Sequence, residues 1–315
     1  MQILELICLA IVTSYVVARL LQAGDRRSRL AFLGRFALLA AASFLGEDSV
    51  IRAYGFYAYA TGWSARLDHV PLVIILVWPV VIDSAATLAR AIVTSGSGDA
   101  NTASGRGTLS SSLRVATLGA AIVLADASLI EPIAVRAGLW RWVEPGLFGV
   151  PLIGIIGWAY FAWAAIMVFE LVRGGARILL LAAAPIVTHL LILVTWWVVF
   201  RWVSGERSAV AAAGLAWGAA VVVATRIARD GLRGRGLAVV PIGELLVRLP
   251  GALFFFVLLG MTAEGPSFFA SPDARAYAAP DVGLLALAAY AAAFAPPYLT
   301  ALTLRAAGRR SRALA

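Results

Sequence analysis

Apolar stretches, each close to the length of a bilayer-crossing helix, alternate with short polar breaks along the whole chain of 315 residues. They fall at roughly 3–22, 31–47, 70–93, 113–134, 148–172, 177–203, 208–228, 237–262 and 282–305. A helix needs about 20 apolar residues to cross a hydrocarbon core ~30 Å thick. A backbone inside lipid must also satisfy its own hydrogen bonds, which leaves helices or closed barrels. The pattern therefore predicts an all-α, polytopic transmembrane bundle of about nine spans, with seven to nine as the range. It reads as a single integral membrane domain over residues 1–315. Span two is short and span four is interrupted near Pro132, so either is expected to run partly re-entrant or along the interface. The polar stretch 94–112, "TSGSGDANTASGRGTLSSS", reads as a flexible cytoplasmic linker. No internal repeat is apparent.

Composition agrees with the pattern. Hydrophobic residues make up 62% of the chain, charged residues 14%, and the mean hydropathy is +0.89. Soluble domains hold about 45–50% apolar and about 25% charged residues. The net charge of +9 does not indicate a nucleic-acid partner, because the arginines sit at span ends. Every second connection is basic: Arg26, Arg27, Arg29 and Arg35; Arg106 and Arg114; Arg173 and Arg177; Arg226 to Arg235; and the tail from Arg305. The positive-inside rule then puts the N-terminus outside and the C-terminus in the cytoplasm. The location this implies is a bacterial or archaeal cytoplasmic (inner) membrane, crossed many times. The N-terminal stretch lacks a basic region before its apolar run, so it reads as a retained helix rather than a signal peptide. Cys8 is the lone cysteine, and His69 and His189 lie far apart, so no metal spacing is present.

Against this background the ionisable residues at membrane depth stand out. Each costs about 2.5–3.5 kcal/mol by insertion scales for Asp at a helix centre. Some have plain explanations. Glu244 and Arg248 are four apart on one helix face and read as an intrahelical ion pair. Glu170 reads as a solvated span end beside Arg173, and His189 as a polar contact between helices. Asp83, near the middle of span three, is expected either to bond a neighbouring helix or to help hold a substrate. Tryptophans gather near span ends, at Trp63, Trp140, Trp142, Trp196, Trp197 and Trp202, and most of them read as interfacial belts. Glu47, Asp126 and Glu131 are harder to explain in this way. A five-residue step turns a helix by about 500°, so Asp126 and Glu131 do not share a face of a regular helix. Pro132 disfavours helical geometry at Glu131 and is expected to break the helix there, turning that carboxyl into a pocket.

A buried carboxyl tends to stay protonated and can serve as a Brønsted acid. A lipid-soluble substrate with no polar handle offers few atoms to protonate, and a trisubstituted carbon–carbon double bond is one. Its protonation gives a tertiary cation that aromatic faces stabilise. Water then adds, a neighbouring double bond adds, or a proton leaves. An acid, an aromatic wall and controlled water access suffice, so no cofactor is expected.

Three stretches carry a resemblance. Glu47 is followed by "YGFYAY"; "VPLVIILVW" ends at Trp78; and "DASLIEPIAVRAGLWRWVEPGLFGVPLIGIIGW" begins at Asp126. Together they resemble the membrane-bound carotenoid biosynthesis proteins whose best-known members are acyclic-carotenoid 1',2'-hydratases. Asp126, Pro132, Ala134, Gly138, Trp140, Trp142, Gly149, Val150, Pro151, Gly157 and Trp158 follow the family's pattern in order, and the resemblance covers about residues 40–165. Three departures stand beside it. Glu131 replaces the family's second aspartate, Gly154 replaces its asparagine, and the segment between Glu47 and Gly55 is shortened and lacks a Thr-Gly.

The resemblance implies an integral membrane enzyme that adds water to a terminal double bond of an acyclic carotenoid. Asp126, Glu131 and Glu47 would be its acids and bases. Tyr57, Tyr59, Trp78, Asp83, Trp140, Trp142 and Trp158 would line the substrate site. The partners would be a hydrophobic isoprenoid or carotenoid within the bilayer and the membrane lipids, with no nucleic acid. Two other readings use the same carboxyls: a proton-initiated isoprenoid cyclase or isomerase with a drier pocket, and a non-enzymatic lipid-binding protein or transporter with a carboxylate proton relay. The lack of an apparent repeat counts against a transporter.

Overall fold

The computed structural model describes residues 1–96, 109–143, 149–200 and 242–261, and the single positions 218 and 222. Among these, six helical segments are long and apolar enough to cross a membrane. They are α1 (Gln2–Gln22), α2 (Arg26–Tyr54), α3 (Leu72–Gly96), α4 (Leu109–Arg136), α5 (Leu152–Leu171) and the segment Gly174–Val198, built around α6 (Leu180–Thr195). A 3-10 turn at Gly174–Leu179 leads into α6 and a π turn at Trp196–Phe200 continues it. The protein is a helical membrane protein.

Four short strands lie between the helices: β1 (Tyr57–Tyr59), β2 (Arg66–Leu67), β3 (Val70–Pro71) and β4 (Trp140–Trp142). Two short helices, α7 (Ile242–Leu246) and α8 (Leu249–Met261), complete the described elements.

Several sequence expectations are corrected. Span two is a 29-residue helix, with Asp25 capping its first turn by accepting from the Ser28 backbone N–H at 2.9 Å. At ~1.5 Å per residue it is longer than the bilayer core is thick, which tilt accommodates. Span four is not broken: α4 runs through Pro132 to Arg136, because a proline removes one N–H and its neighbours keep the rest of the ladder. The stretch 237–262 is divided by a turn at Val247 and Arg248 between α7 and α8. Helix α3 reaches Gly96 and α4 starts at Leu109, so both edges of the expected linker are helical. Span nine, span seven apart from positions 218 and 222, the arginines from Arg226 to Arg235 and those from Arg305 onward lie outside the described residues.

The largest correction concerns repetition. The unit α2–β1–α3 is repeated as α4–β4–α5. In both, a glutamate is followed at the fifth and sixth positions by Arg-Ala (Arg52-Ala53, Arg136-Ala137) and then by a left-handed glycine. These glycines are Gly55 with φ 62° and Gly138 with φ 72°, a conformation that glycine adopts without steric cost. An aromatic-x-aromatic strand comes next, then Val-Pro-Leu-x5-Trp: Val70 to Trp78 in one unit, Val150 to Trp158 in the other. Strands β1 and β4 pair antiparallel, Tyr57 with Trp142 and Tyr59 with Trp140. Val143 N–H donates to Phe56 O at 2.8 Å, and Ala60 N–H donates to Leu139 O at 3.0 Å. Exchanging equivalent residues maps each of these pairs onto the other, the signature of a local two-fold axis through the Ala58–Arg141 pair. Sequence scanning misses the repeat because one unit carries Tyr54 as an insertion and the linkers to the Val-Pro-Leu motifs differ in length.

Packing holds the two units together. Ala85, Ala89, Ala116, Ala162 and Ala165 are buried where α3, α4 and α5 meet. Small side chains let the helix backbones approach closely, which is how helices gain dispersion contact in lipid. Pro79 inside α3 cannot donate to the carbonyl four residues back. Ser43 of α2 covers that carbonyl: its hydroxyl donates to Ile75 O at 3.3 Å as well as to Ala40 O at 2.9 Å.

Candidate functional site

The repeat places two glutamates beside one cavity. Glu47 is eight residues before the glycine that ends α2, and Glu131 seven before the corresponding glycine of α4. Each helix then turns into its strand, and the strand's aromatic side chains come back over the carboxyl. Tyr57 and Tyr59 of β1 both donate to Glu47 Oε2, the latter at 3.0 Å, and Trp78 of α3 donates to Oε1 at 2.8 Å. In the second unit Trp140 and Trp142 of β4 donate to Glu131 Oε2 at 2.8 and 2.9 Å, and Trp158 of α5 donates to Oε1 at 2.7 Å. Each carboxyl thus takes two donors from its strand and one from its following helix.

The six donor rings also pair across the two-fold axis. Tyr57 lies 4.7 Å from Trp142, Tyr59 lies 5.7 Å from Trp140, and Trp78 lies 4.5 Å from Trp158, measured between ring centroids. They wall a cavity of about 130 Å³ whose remaining lining is almost wholly apolar, including Phe161 and Phe255. Glu131, Tyr57, Tyr59, Trp78 and Trp140 are buried, and Glu47 is half-buried at the cavity wall. Burial, and after it the nearby Glu47 carboxyl, pushes the Tyr57 and Tyr59 phenols well above the usual tyrosine range, so both remain donors at neutral pH.

Asp126 and Asp83, expected at the site, do not reach this cavity. Because α4 stays helical, Asp126 faces away from Glu131, as the helical turn between them requires. Arg248 Nη2 grips both of its oxygens at 2.7 and 2.6 Å, while Arg248 Nη1 donates to Ser84 at 2.8 Å. This pair borders a second, smaller cavity of about 80 Å³. Asp83 accepts from Tyr15 at 2.8 Å, with Arg19 at 3.5 Å and Arg35 at 3.6 Å. These contacts tie α3 to α1 and α2.

The expected Glu244–Arg248 pair is replaced as well. Glu244 binds Arg19 at 2.7 Å, because the turn after α7 separates the two residues' directions. Glu170 is paired with Arg90 at 2.6 Å rather than solvated. His189 bridges helices as expected, with Ser49 and Tyr54 each at 2.8 Å.

Gly154, where the resemblance expected asparagine, has a local reason. A Cβ there would fall 2.6 Å from the Trp142 ring, so the indole that serves Glu131 occupies the space a side chain would need. Where α2 meets the turn between β2 and β3, Asp48, Asp68 and His69 lie close enough to share an ion. Arg52 is already paired with both aspartates, at 2.7 Å to Asp48, and supplies the positive charge there.

Sequence reasoning missed Arg248 as the partner of Asp126, since nothing in the local spacing links residues 122 positions apart. It placed Trp140 and Trp142 at the substrate site but not as donors to Glu131, although the duplicated Val-Pro-Leu-x5-Trp could have drawn attention to the residues between.

No curated protein and no solved structure matches the chain. The sequence profile of a family described as carotenoid biosynthesis protein matches residues 2–224, which takes in both units of the repeat and all six donor rings. The chain belongs to the carotenoid biosynthesis protein family.

Proposed function

We propose that this protein is a cofactor-independent hydratase that adds water to a terminal carbon–carbon double bond of an acyclic carotenoid. The carrying observation is that Glu47 and Glu131 flank one aromatic cavity, each with hydrogen-bond donors on both oxygens. One carboxyl protonates the double bond, the resulting tertiary cation lies against the indole and phenol faces, and water attacks it. The cavity's size suits the end group of a long chain, the rest of which stays in lipid. Tyr57, Tyr59, Trp78, Trp140, Trp142 and Trp158 orient the acids and shape the pocket. Asp126 and Asp83 are left out of the chemistry, because each is committed to arginine.

The same proposal keeps one integral membrane domain with about nine spans, seven to nine as the range, N-terminus outside, in a bacterial or archaeal cytoplasmic membrane. It puts the carboxyl pair in the outer half of the bilayer. The repeat removes one argument against a transporter. What favours an enzyme is that both glutamates have every oxygen engaged by fixed donors, a preorganised arrangement rather than a relay of free carboxyls.

The test is coexpression in cells that accumulate lycopene, with extracted pigments analysed by mass spectrometry beside Glu47→Gln and Glu131→Gln. A pigment heavier by one water, lost in both variants at equal protein level, is the expected result. An isomer of unchanged mass would favour cyclisation. No new pigment from folded protein would sink lycopene hydration.

A further inference from the structure

We propose that the two glutamates divide the work: Glu47 delivers the proton and takes it back through its tyrosines, while Glu131 stays a carboxylate that holds the cationic carbon. This rests on the acid-initiated reading above and goes beyond it. The two-fold axis makes Glu47 and Glu131 equivalent in place, so what separates them is the chemistry of their donors.

An indole N–H only donates, whereas a phenol hydroxyl both donates and accepts. Glu131 has three indoles around it, two on Oε2 and one on Oε1. A protonated Glu131 would have nothing among them to donate to, and its own hydrogen would compete with theirs. Three fixed N–H groups match a carboxylate. Glu47 has one indole and two tyrosines, both on Oε2. When protonated, it can turn its hydrogen to a tyrosine oxygen, because each hydroxyl reorients. That half of the site tolerates both protonation states and the other half does not.

The steps balance. The Glu47 O–H bond breaks, its proton bonds to the less substituted alkene carbon, and the π bond breaks to leave a tertiary cation. The cation lies in the cavity that the rings wall, beside Glu131. Water's oxygen bonds to the cationic carbon, and its surplus proton returns to Glu47 by way of Tyr57 or Tyr59. The sum is alkene plus water giving tertiary alcohol, with both glutamates restored.

Equilibrium binding of two synthetic isoprenoids of equal chain length tests this without turnover. One ends in a quaternary trimethylammonium, a permanent cation with no acidic proton; the other ends in a neutral tert-butyl group of the same shape. Wild-type protein is expected to prefer the cation by at least about tenfold. Glu131→Gln should abolish that preference and Glu47→Gln should keep it. Trp158→Phe, which removes one donor and keeps a ring, should reduce the preference in part, and it supplies the same readout if Glu131→Gln does not accumulate. Loss of preference in Glu47→Gln with retention in Glu131→Gln, or equal loss in both, overturns the division of roles. Wild-type protein that hydrates a polyene yet shows no preference also overturns it, and leaves hydration standing. Wild-type protein that binds neither isoprenoid and hydrates nothing removes the underlying reading, and the division with it.

Discussion

Tyr57 and Trp142 face each other across the β1–β4 pair with ring centroids 4.7 Å apart, and each donates to a different glutamate. Two rings in contact thus belong to two carboxyl groups on two helices. The strand pair fixes how far apart the glutamates lie and which way their lone pairs point. A change in either ring is felt at both carboxyls, so Tyr57→Phe and Trp142→Phe should be non-additive. The double variant should lose less than the product of the single losses, as expected for residues in contact. Pigment yield per folded protein in the lycopene-accumulating host measures this, and strict additivity would show that the two halves act independently.

Gly154 offers a sharper steric test. Restoring a side chain there forces its Cβ to within 2.6 Å of the Trp142 ring, and overpacking costs about 1–3 kcal/mol. Gly154→Asn should lower the thermal unfolding midpoint in detergent and reduce hydration, because the Trp142 donor is displaced from Glu131. Adding Trp142→Leu should recover stability without recovering activity. A fully stable, fully active Gly154→Asn protein would mean that Trp142 moves aside at no cost.

Much of this arrangement was legible from the sequence, and the parts that were not share a physical cause. Apolar runs give the first six helical segments because lipid demands complete backbone satisfaction and the period is long. Glu47 and Glu131 stand out because a carboxyl in lipid is costly. Asp126 stood out for the same reason, yet its cost is met by Arg248, far along the chain. Local spacing cannot show such a partner, so from sequence a paired charge cannot be told from an unpaired one. The fate of Pro132 was also hidden: its ring weakens a helix locally, and packing on both sides of α4 decides whether the helix continues. The two-fold relation was obscured by an insertion and unequal loops, although Val-Pro-Leu-x5-Trp occurs twice.

Asp126 and Arg248 should behave as a structural pair. Each side chain is under a tenth exposed, and breaking a buried ion pair typically costs about 3–5 kcal/mol because the remaining charge is uncompensated. Asp126→Asn and Arg248→Met should each reduce the amount of folded protein strongly. Asp126→Leu with Arg248→Met should restore it, along with hydration per folded molecule. An inactive but well-folded double variant would return Asp126 to the list of acids.

The buried tyrosines set a limit on alkaline stability. Their folded pKa values are raised above the unfolded value of about 10, chiefly by burial and then by Glu47. Stability linked to them is complete below that unfolded value and is lost as pH rises through the folded ones. Unfolding midpoints of wild-type protein should therefore fall above about pH 10, and fall less steeply in the Tyr57→Phe, Tyr59→Phe double variant. Parallel slopes for the two proteins would show that these phenols are solvated.

The repeat predicts where the chain tolerates a cut. Residues 97–108 separate α3 from α4, and so separate the unit carrying Glu47 from the unit carrying Glu131. The halves are joined by the backbone bonds from Val143 to Phe56 and from Ala60 to Leu139, by the three ring pairs, and by the alanine-lined packing of α3 on α4. None of these contacts needs the covalent link. Coexpressed fragments 1–102 and 103–315 should co-purify from membranes and hydrate the polyene, while either alone should be inactive, because each holds one glutamate and three of the six donors. A fragment pair with Glu47→Gln in one half should stay assembled and inactive, which separates loss of chemistry from loss of association. Fragments that fail to co-purify would show that the units depend on being one chain, and the two-fold site would then be a product of folding in sequence rather than of docking.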